Sequence, residues 1–283
     1  MKNLFPILLL SLCVGFVSCK EEYDADTAVS HYQPAADRRL VASVKTTFME
    51  NGGEATHYHR YTYDANKRIK SVNSELVVFE GKTDNYIDTV YYKCNMTTNA
   101  NYFYRGEELE VAYNISVDYP DRPKYNKNLS GSNYGIFKSN GVLSRFTHSS
   151  FDYSTTMLLS SYVDGDIRFD VVRDSSGNIT GYIKSKASTE DILENKSNLT
   201  DYASEDRNKT NFDFSAYFGY WGVEQGITLI STPYRAPYQL AAFGMLGSTS
   251  KHLPAGIWEF DDRDCPVSYT DPYGRHTVIT YHD

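Results

Sequence analysis

Residues 39–72, RLVASVKTTFMENGGEATHYHRYTYDANKRIKSV, carry the strongest structural signal in this chain. Apolar and polar side chains alternate from Leu40 to Phe48, and a second alternating stretch runs from Thr56 to Tyr63. A period of two places successive side chains on opposite faces of a strand, so both stretches are predicted to be half-buried β-strands. Asn51-Gly52-Gly53 supplies the backbone freedom that a tight hairpin needs between them.

The same pattern of alternating segments separated by turns continues through the chain, and it predicts a mainly β fold. Alternating segments are separated by further turn sequences, among them Gly81-Lys82, Ser139-Asn140-Gly141, Asp164-Gly165-Asp166 and Ser175-Ser176-Gly177. The composition of 25 Tyr, 14 Phe and 2 Trp in 283 residues also favours pleated sheet. Short links favour an antiparallel meander, for which we predict about twelve to fourteen strands.

Two segments depart from the strand pattern. The polar stretch Ser188–Thr210 is predicted to be a long loop. Tyr234–Leu246 has apolar residues at helical spacing between a proline and a glycine, which predicts a short helix, and a further helical turn is expected over Phe214–Phe218. Neither segment marks a boundary, so residues 38–283 are predicted to form a single β domain.

One local unit recurs. Tyr63-Asp64 is followed by apolar residues five and eight positions after the aspartate, at Ile69 and Val72. Similar units begin at Asp174 and Asp262, and a fourth has Lys138 in the position of the aspartate. The unit is predicted to be a hairpin whose turn is capped by the aspartate.

The N-terminus indicates export. An apolar run from Leu4 to Val17 follows Lys2, and it is too short to span a bilayer comfortably, so residues 1–18 are predicted to be a signal peptide. Phe16-Val17-Ser18-Cys19 resembles a bacterial lipobox, which implies cleavage before Cys19 and attachment to the membrane through a lipid anchor at Cys19. The alternative is an ordinary signal peptide with an incidental cysteine.

Residues 19–37 are predicted to be a flexible acidic tether. The stretch Lys20-Glu21-Glu22-Tyr23-Asp24 resembles the sorting signal of Bacteroidetes lipoproteins that reach the outer face of the outer membrane. It implies an outward-facing, lipid-anchored protein. The alternative location is the periplasm-facing side.

The C-terminal part resembles a known family. Gly247–Pro254 is followed by an aromatic-Asp hairpin and by the closing strand Thr277–Tyr281. Together with the Tyr63-Asp64 unit and the lipobox, these residues resemble a Bacteroidetes lipoprotein domain of unknown function, described as having a porin-like fold. The resemblance implies a large curled antiparallel β-meander with a barrel-like sheet. The resemblance implies no catalytic residues and no cofactor.

Charge and cysteine content narrow the classes of function. The chain contains 28 Lys and Arg residues and 36 Asp and Glu residues, which gives a net charge of −8. This negative charge disfavours nucleic acid as a partner. Besides Cys19, the exported chain keeps Cys94 and Cys265, and an oxidising compartment permits a disulfide between them. The alternative is that both are small buried hydrophobic residues.

No motif demands an enzyme. Ser248–Lys251 matches the Ser-x-x-Lys pattern, but the chain lacks the accompanying Lys-Thr-Gly element, so a turn after a helix is predicted there. His57 and His59 share a strand face at a spacing seen in metal sites, but no third ligand is marked, and ordinary core or surface histidines are predicted. We therefore expect no catalytic residue, metal or cofactor.

The aromatic cluster YFGYWG at 217–222 is the candidate ligand site. The rings of Tyr217, Tyr220 and Trp221 would suit sugar rings or the side chains of a protein partner, or they would fill the inside of the curled sheet. The expectation is a lipid-anchored, non-catalytic module that binds a glycan or an envelope protein. The alternatives are a structural or assembly accessory of the envelope and a carboxylate-dependent hydrolase.

Overall fold

The computed structural model describes residues 38–84, 88–138, 143–146, 148–153, 159–173, 179–196, 202–203, 209–211, 214, 253–254 and 256–283. The strands are β1 (Val41–Glu50), β2 (Gly53–Tyr63), β3 (Ile69–Asp84), β4 (Asp88–Arg105), β5 (Glu108–Asp118), β6 (Lys127–Phe137), β7 (Leu143–Phe146), β8 (Ser149–Tyr153), β9 (Leu159–Asp164), β10 (Ile167–Arg173), β11 (Ile179–Lys186), β12 (Ile192–Lys196), β13 (Tyr202–Ala203), β14 (Leu253–Pro254), β15 (Ile257–Phe260), β16 (Pro266–Thr270) and β17 (His276–Tyr281). Within the described ranges, one 3-10 turn, Pro123–Tyr125, lies between β5 and β6.

Fifteen strands form one antiparallel sheet, which confirms the predicted fold class. Strands β1 to β12 lie side by side in chain order, as expected of a meander. The last strand, β17, then pairs with β1, so β15–β17 extend the sheet on its other side. The sheet is curled and open, with β12 and β15 at its ends, and β13 and β14 pair separately.

The first hairpin forms as predicted, and the one irregularity of β1 lies in its pairing with β17. Thr46 of β1 pairs with His57 of β2, and the strands meet at Asn51 and Gly52, both of which have positive φ. A bulge between Val41 and Ser43 interrupts the register of β1 with β17. Because a bulge shifts which residues face inward, Val41 is fully buried at the start of the strand.

The Asp64 turn confirms the predicted capped hairpin. Oδ1 of Asp64 accepts hydrogen bonds from the backbone N–H groups of Asn66 and Arg68, both at 2.9 Å. Its Oδ2 accepts a third bond from Nε of Arg68 at 2.6 Å. Lys67 completes the turn with φ 61°.

The same turn occurs twice more near the C-terminus. Between β15 and β16 the acceptor is Asp261, which bonds the N–H groups of Arg263 at 3.0 Å and Cys265 at 2.9 Å. The prediction of Asp262 for this role was wrong by one residue. Asp261 follows Phe260 as Asp64 follows Tyr63, and Phe260 pairs with Pro266 as Tyr63 pairs with Ile69, whereas the prediction had aligned Val267 with Ile69.

Asp271 forms the second C-terminal copy, which the sequence did not predict. It bonds the N–H groups of Tyr273 at 2.9 Å and Arg275 at 2.8 Å, and the Arg275 side chain closes an ion pair. The turns predicted after Asp174 and Lys138 fall on residues 174–178 and 139–142, outside the described residues.

The prediction of a long loop over Ser188–Thr210 was wrong in part. Strand β12 lies within it and pairs with β11, with Ile183 opposite Asn195. Ile192 and Leu193 are 65 % and 47 % exposed, so this strand lacks the alternating burial that a sequence pattern detects. Backbone hydrogen bonds place it at the sheet end. The helix predicted over Tyr234–Leu246 falls outside the described residues, and of Phe214–Phe218 only Phe214 is described.

The hydrophobic core lies on one face of the sheet. On β4, Tyr102 and Tyr104 are buried at 5 % and 4 % exposure, and both belong to the core. Tyr104 donates a hydrogen bond to the carbonyl oxygen of Ile69 at 2.9 Å and stacks near Phe137. The intervening residue, Phe103, points to the opposite face and is 43 % exposed.

The disulfide considered between Cys94 and Cys265 is not formed, because Cys265 carries a free thiol. Cys94 lies on β4 opposite Val78, whereas Cys265 precedes β16. Between β4 and β16 the sheet contains β3, β2, β1 and β17, a separation of roughly 24 Å along the sheet at about 4.8 Å per strand. A disulfide needs Cα atoms only about 4–7 Å apart. Both cysteines are buried instead.

Candidate ligand-binding surface

Two exposed aromatic rings flank a carboxylate on the outer face of β4–β6. Phe103 of β4 lies directly opposite Glu110 of β5, and Glu110 lies directly opposite Tyr134 of β6. Phe103 is 43 % exposed and Tyr134 is 63 % exposed. The three side chains thus form one row across three strands.

Neighbouring side chains hold the carboxylate of Glu110 in place. Ser132 Oγ donates a hydrogen bond to Oε1 at 3.1 Å, and Arg105 Nη2 lies 3.8 Å from Oε2. The Glu110 side chain is 25 % exposed, whereas that of Arg105 is 67 % exposed. Here the Glu110 patch means Phe103, Arg105, Glu110, Ser132 and Tyr134.

The spacing within the Glu110 patch suits a flat polar ligand. Adjacent strands lie about 4.8 Å apart, so Phe103 and Tyr134 emerge about 10 Å from each other with Glu110 between them. Aromatic rings offer flat apolar faces, and the carboxylate and guanidinium supply an acceptor and donors beside them. Such a combination can stack on an apolar ring face while bonding hydroxyl groups at its edge.

A field of uncharged polar side chains continues from the patch along the same face. Asn114 pairs with Asn99 of β4 and Ser130 of β6, and Ser116 pairs with Thr97 and Asn128 in the same way. We call these six exposed residues the polar strip. Within the described chain none of the six side chains makes a hydrogen bond, so their amides and hydroxyls face water.

The opposite face of the sheet holds His57 and His59, both buried as core residues. Burial, with a smaller contribution from the charge of Arg275, lowers the pKa of His57 to about 4. Burial, followed by the neighbouring His57, lowers the pKa of His59 to about 3. His59 Nδ1 lies 2.8 Å from Ser74 Oγ. Both imidazoles are therefore neutral at pH 7. In the described part of the chain no group of three or more His, Cys, Asp and Glu residues could hold a metal ion.

A second charged cluster joins the start of β1 to the C-terminal hairpin. Arg39 forms an ion pair with Asp261 and lies over the ring of Tyr281 at 4.4 Å. Burial opposes the charge of Asp261, but hydrogen bonds from the backbone of Cys265 and Arg263 and then from Arg39 lower the pKa of its carboxyl. Burial raises the pKa of the Cys265 thiol. The contacts tie two distant chain segments together, so we assign this cluster a structural role.

The ligand residues expected from the sequence fall elsewhere. Tyr217, Tyr220 and Trp221 lie outside the described residues, as do the lipidation residue Cys19 and the tether. Ser248–Lys251 is also outside them.

Sequence reasoning missed the Glu110 patch. The alternation along β4 could have predicted that Phe103 is exposed, since it places Phe103 on the face opposite to Tyr102 and Tyr104. The alignment of Phe103 with Glu110 and Tyr134, however, depends on cross-strand register, which the alternation within one strand does not give.

No helix among the described residues is long and apolar enough to cross a membrane.

The chain was also compared with known proteins. No protein-family model matches it, and no curated protein sequence does. Among solved structures it is similar to a porin-like protein from Bacteroides uniformis, with a TM-score of 0.40 and 7 % identity over 86 % of this chain and 98 % of that one. It is also similar to a porin-like protein from Bacteroides vulgatus, with a TM-score of 0.30 and 11 % identity over 86 % of this chain and 99 % of that one. These descriptions agree with the resemblance drawn from the sequence. Since both TM-scores lie below 0.5, nothing about function is carried over.

Proposed function

We propose that this chain is a lipid-anchored outer-membrane surface protein that binds a glycan without transforming it. The observation that carries the proposal is the row of Phe103, Glu110 and Tyr134, in which two exposed rings flank a held carboxylate. An aromatic ring stacks on the C–H face of a sugar, and a carboxylate accepts hydrogen bonds from sugar hydroxyls. The patch offers both groups on one face of the sheet.

Attachment through Cys19 supports a role at the surface. A tether over residues 19–37 would span at most roughly 65 Å when fully extended. That length would let the sheet stand clear of the headgroups and turn its outer face towards large ligands. The outward-facing orientation belongs to this proposal, with the periplasm-facing one as its alternative.

A hydrolase is the second candidate, and one observation favours it. Glu108 lies two positions before Glu110 on the same strand, so both carboxylates lie on the outer face of β5. Paired carboxylates are the usual catalytic groups of glycosidases. Incubation with each bound glycan, followed by chromatography, separates the candidates: we expect the glycan to stay intact, and cleavage would favour the hydrolase.

The test of binding uses the full-length chain in detergent micelles. Thermal unfolding would be followed against a panel of neutral and anionic oligosaccharides, since a ligand at about one hundred times its Kd stabilises a fold by about 2.7 kcal/mol. Tyr134→Ala removes one ring of the patch. Tyr273→Ala is the matched control, because Tyr273 is a similarly exposed tyrosine, at 68 %, in the turn between β16 and β17.

We expect at least one glycan to raise the unfolding temperature of the parent chain and of Tyr273→Ala, but not that of Tyr134→Ala. A shift that survives in Tyr134→Ala would place the site elsewhere. If no glycan shifts any variant, the binding proposal fails, and a protein partner or an assembly role in the envelope becomes the better account.

A further inference from the structure

We infer that the ligand of the Glu110 patch is an uncharged polysaccharide that continues from the patch along the polar strip. The inference rests on the proposed function and names the class of glycan that this surface would take. It starts from the contrast between the two ends of one face of β5. Glu110 lies between aromatic rings at one end, whereas Asn114 and Ser116 lie between amides and hydroxyls further along.

The length of the surface indicates a chain rather than a single sugar. From Glu110 to Ser116 the strand advances by roughly 20 Å at about 3.4 Å per residue. Asn101 and Ser132, on the strands either side of Ala112, connect the patch to the polar strip without a gap. A linear oligosaccharide seated on the patch by one unit would have its following units over Asn114.

The side-chain chemistry selects for hydroxyl groups. The amides of Asn99 and Asn114 each present an acceptor oxygen and a donor NH₂ group, and the hydroxyl of Ser130 can do either. Neighbouring sugar hydroxyls likewise donate and accept. Since the six strip side chains make no hydrogen bonds within the described chain, binding would not require breaking existing ones.

The charges argue against an anionic glycan. The six residues of the polar strip carry no charge, and its borders carry carboxylates at Glu110, Asp118 and Glu75. Glu75 is already paired with Arg60, and Asp118 accepts a hydrogen bond from Asn126. Glu110 likewise faces Arg105, so Asp118 is the border carboxylate that no arginine pairs with. A uronate or sulfate lying on the strip would gain no cation from its six residues, would compete with Glu110 and Glu75 for the two arginines, and would be repelled by Asp118.

The experiment measures affinity by calorimetry with the full-length chain in detergent. The probes are a neutral disaccharide, its longer homologues and an oligogalacturonide of matching length. The variants are Asn114→Ala, in the centre of the polar strip, and Asn195→Ala, an exposed asparagine on β12 that serves as the control.

The expected result has two parts. Longer neutral chains should bind about tenfold more tightly than the disaccharide, and Asn114→Ala should remove that gain while leaving disaccharide binding unchanged. The oligogalacturonide should bind more weakly than its neutral counterpart, and neutral binding should be insensitive to salt because no charge pair is screened.

Three results would overturn the inference while leaving the proposed function intact: no gain with length, a gain that persists in Asn114→Ala, or tighter binding of the oligogalacturonide. In each case the disaccharide would still bind and still depend on Tyr134. Loss of binding to every probe would instead overturn the proposed function, and the inference with it.

Discussion

Val44 in the first strand of the sheet is the direct antiparallel partner of Ile279 in the last strand. Both side chains are buried, at 0 % and 2 % exposure, and both belong to the core. This pairing of β1 with β17 is how the C-terminal strands β15–β17 join the meander of β1–β12.

Ile279→Ala should therefore destabilise the fold. Removing a buried isoleucine side chain costs about 2–5 kcal/mol, which should appear as a lower urea midpoint. Val278→Ala is the control, because Val278 is 43 % exposed on the same strand and should change stability by less than about 0.5 kcal/mol. Equal effects of the two variants would contradict the pairing.

The Asp271 turn should contribute measurably to the free energy of unfolding, although it is short. Its carboxylate accepts two backbone N–H bonds and pairs with Arg275, while the residue is only 8 % exposed. Asp271→Ala leaves these donors without an acceptor, at a cost of about 1–3 kcal/mol in urea unfolding. Asp262→Ala, an exposed aspartate in the neighbouring turn, should be nearly neutral. A loss in Asp271→Ala no larger than that in Asp262→Ala would contradict the role of Asp271 as a capping residue.

The buried histidines predict acid sensitivity. His57 and His59 have folded pKa values of about 4 and about 3, below the unfolded value of about 6.5. The unfolded chain therefore binds more protons as the pH falls through 6.5, and stability is lost. Between pH 7 and pH 5 the loss should be about 4 kcal/mol, roughly 2 for each imidazole.

Urea unfolding at a series of pH values would measure this dependence. His57→Leu should remove about half of the slope between pH 6.5 and pH 5, whereas His276→Asn, at an exposed position on β17, should leave the slope unchanged. Stability that is flat over this range would show that the imidazoles are not buried as neutral groups.

Reduction should leave the stability of the fold unchanged. Cys265 holds a free thiol, and burial raises its pKa, so it should react slowly with thiol reagents until the chain unfolds. Adding dithiothreitol should not move the urea midpoint. A drop equivalent to the usual disulfide contribution of about 2–4 kcal/mol would mean that a disulfide supports the fold.

Local features of the fold were predictable from sequence, and distant pairings were not. The hairpin at Asn51-Gly52-Gly53 and the Asp64 turn follow from residues that are close together along the chain. The Val44–Ile279 pairing and the strand at Ile192–Lys196 depend on partners elsewhere in the chain and on backbone hydrogen bonds, which leave no side-chain pattern.

The candidate site likewise combines features that the sequence predicts locally with a cross-strand alignment that it does not predict. Alternation places Phe103 and Tyr134 on the outside of their strands, but only the register of β4, β5 and β6 brings them to either side of Glu110. The sequence instead predicts a ligand site at Tyr217, Tyr220 and Trp221, because these aromatic residues lie close together along the chain.

The most direct test of the account is calorimetric titration of a panel-selected glycan into the full-length chain and three variants. Phe103→Ala and Tyr134→Ala each remove one ring of the Glu110 patch. Tyr91→Ala removes a ring that is 50 % exposed on the same face of β4, roughly 40 Å away. All three substitutions are at exposed positions, so urea midpoints should confirm that the fold is retained.

We expect Phe103→Ala and Tyr134→Ala each to weaken binding by about tenfold or more, because each ring covers part of the same ligand. Tyr91→Ala should keep the parent affinity to within about twofold, as expected of a remote surface change. Full affinity in both patch variants would contradict the central claim that this row of side chains is the binding site.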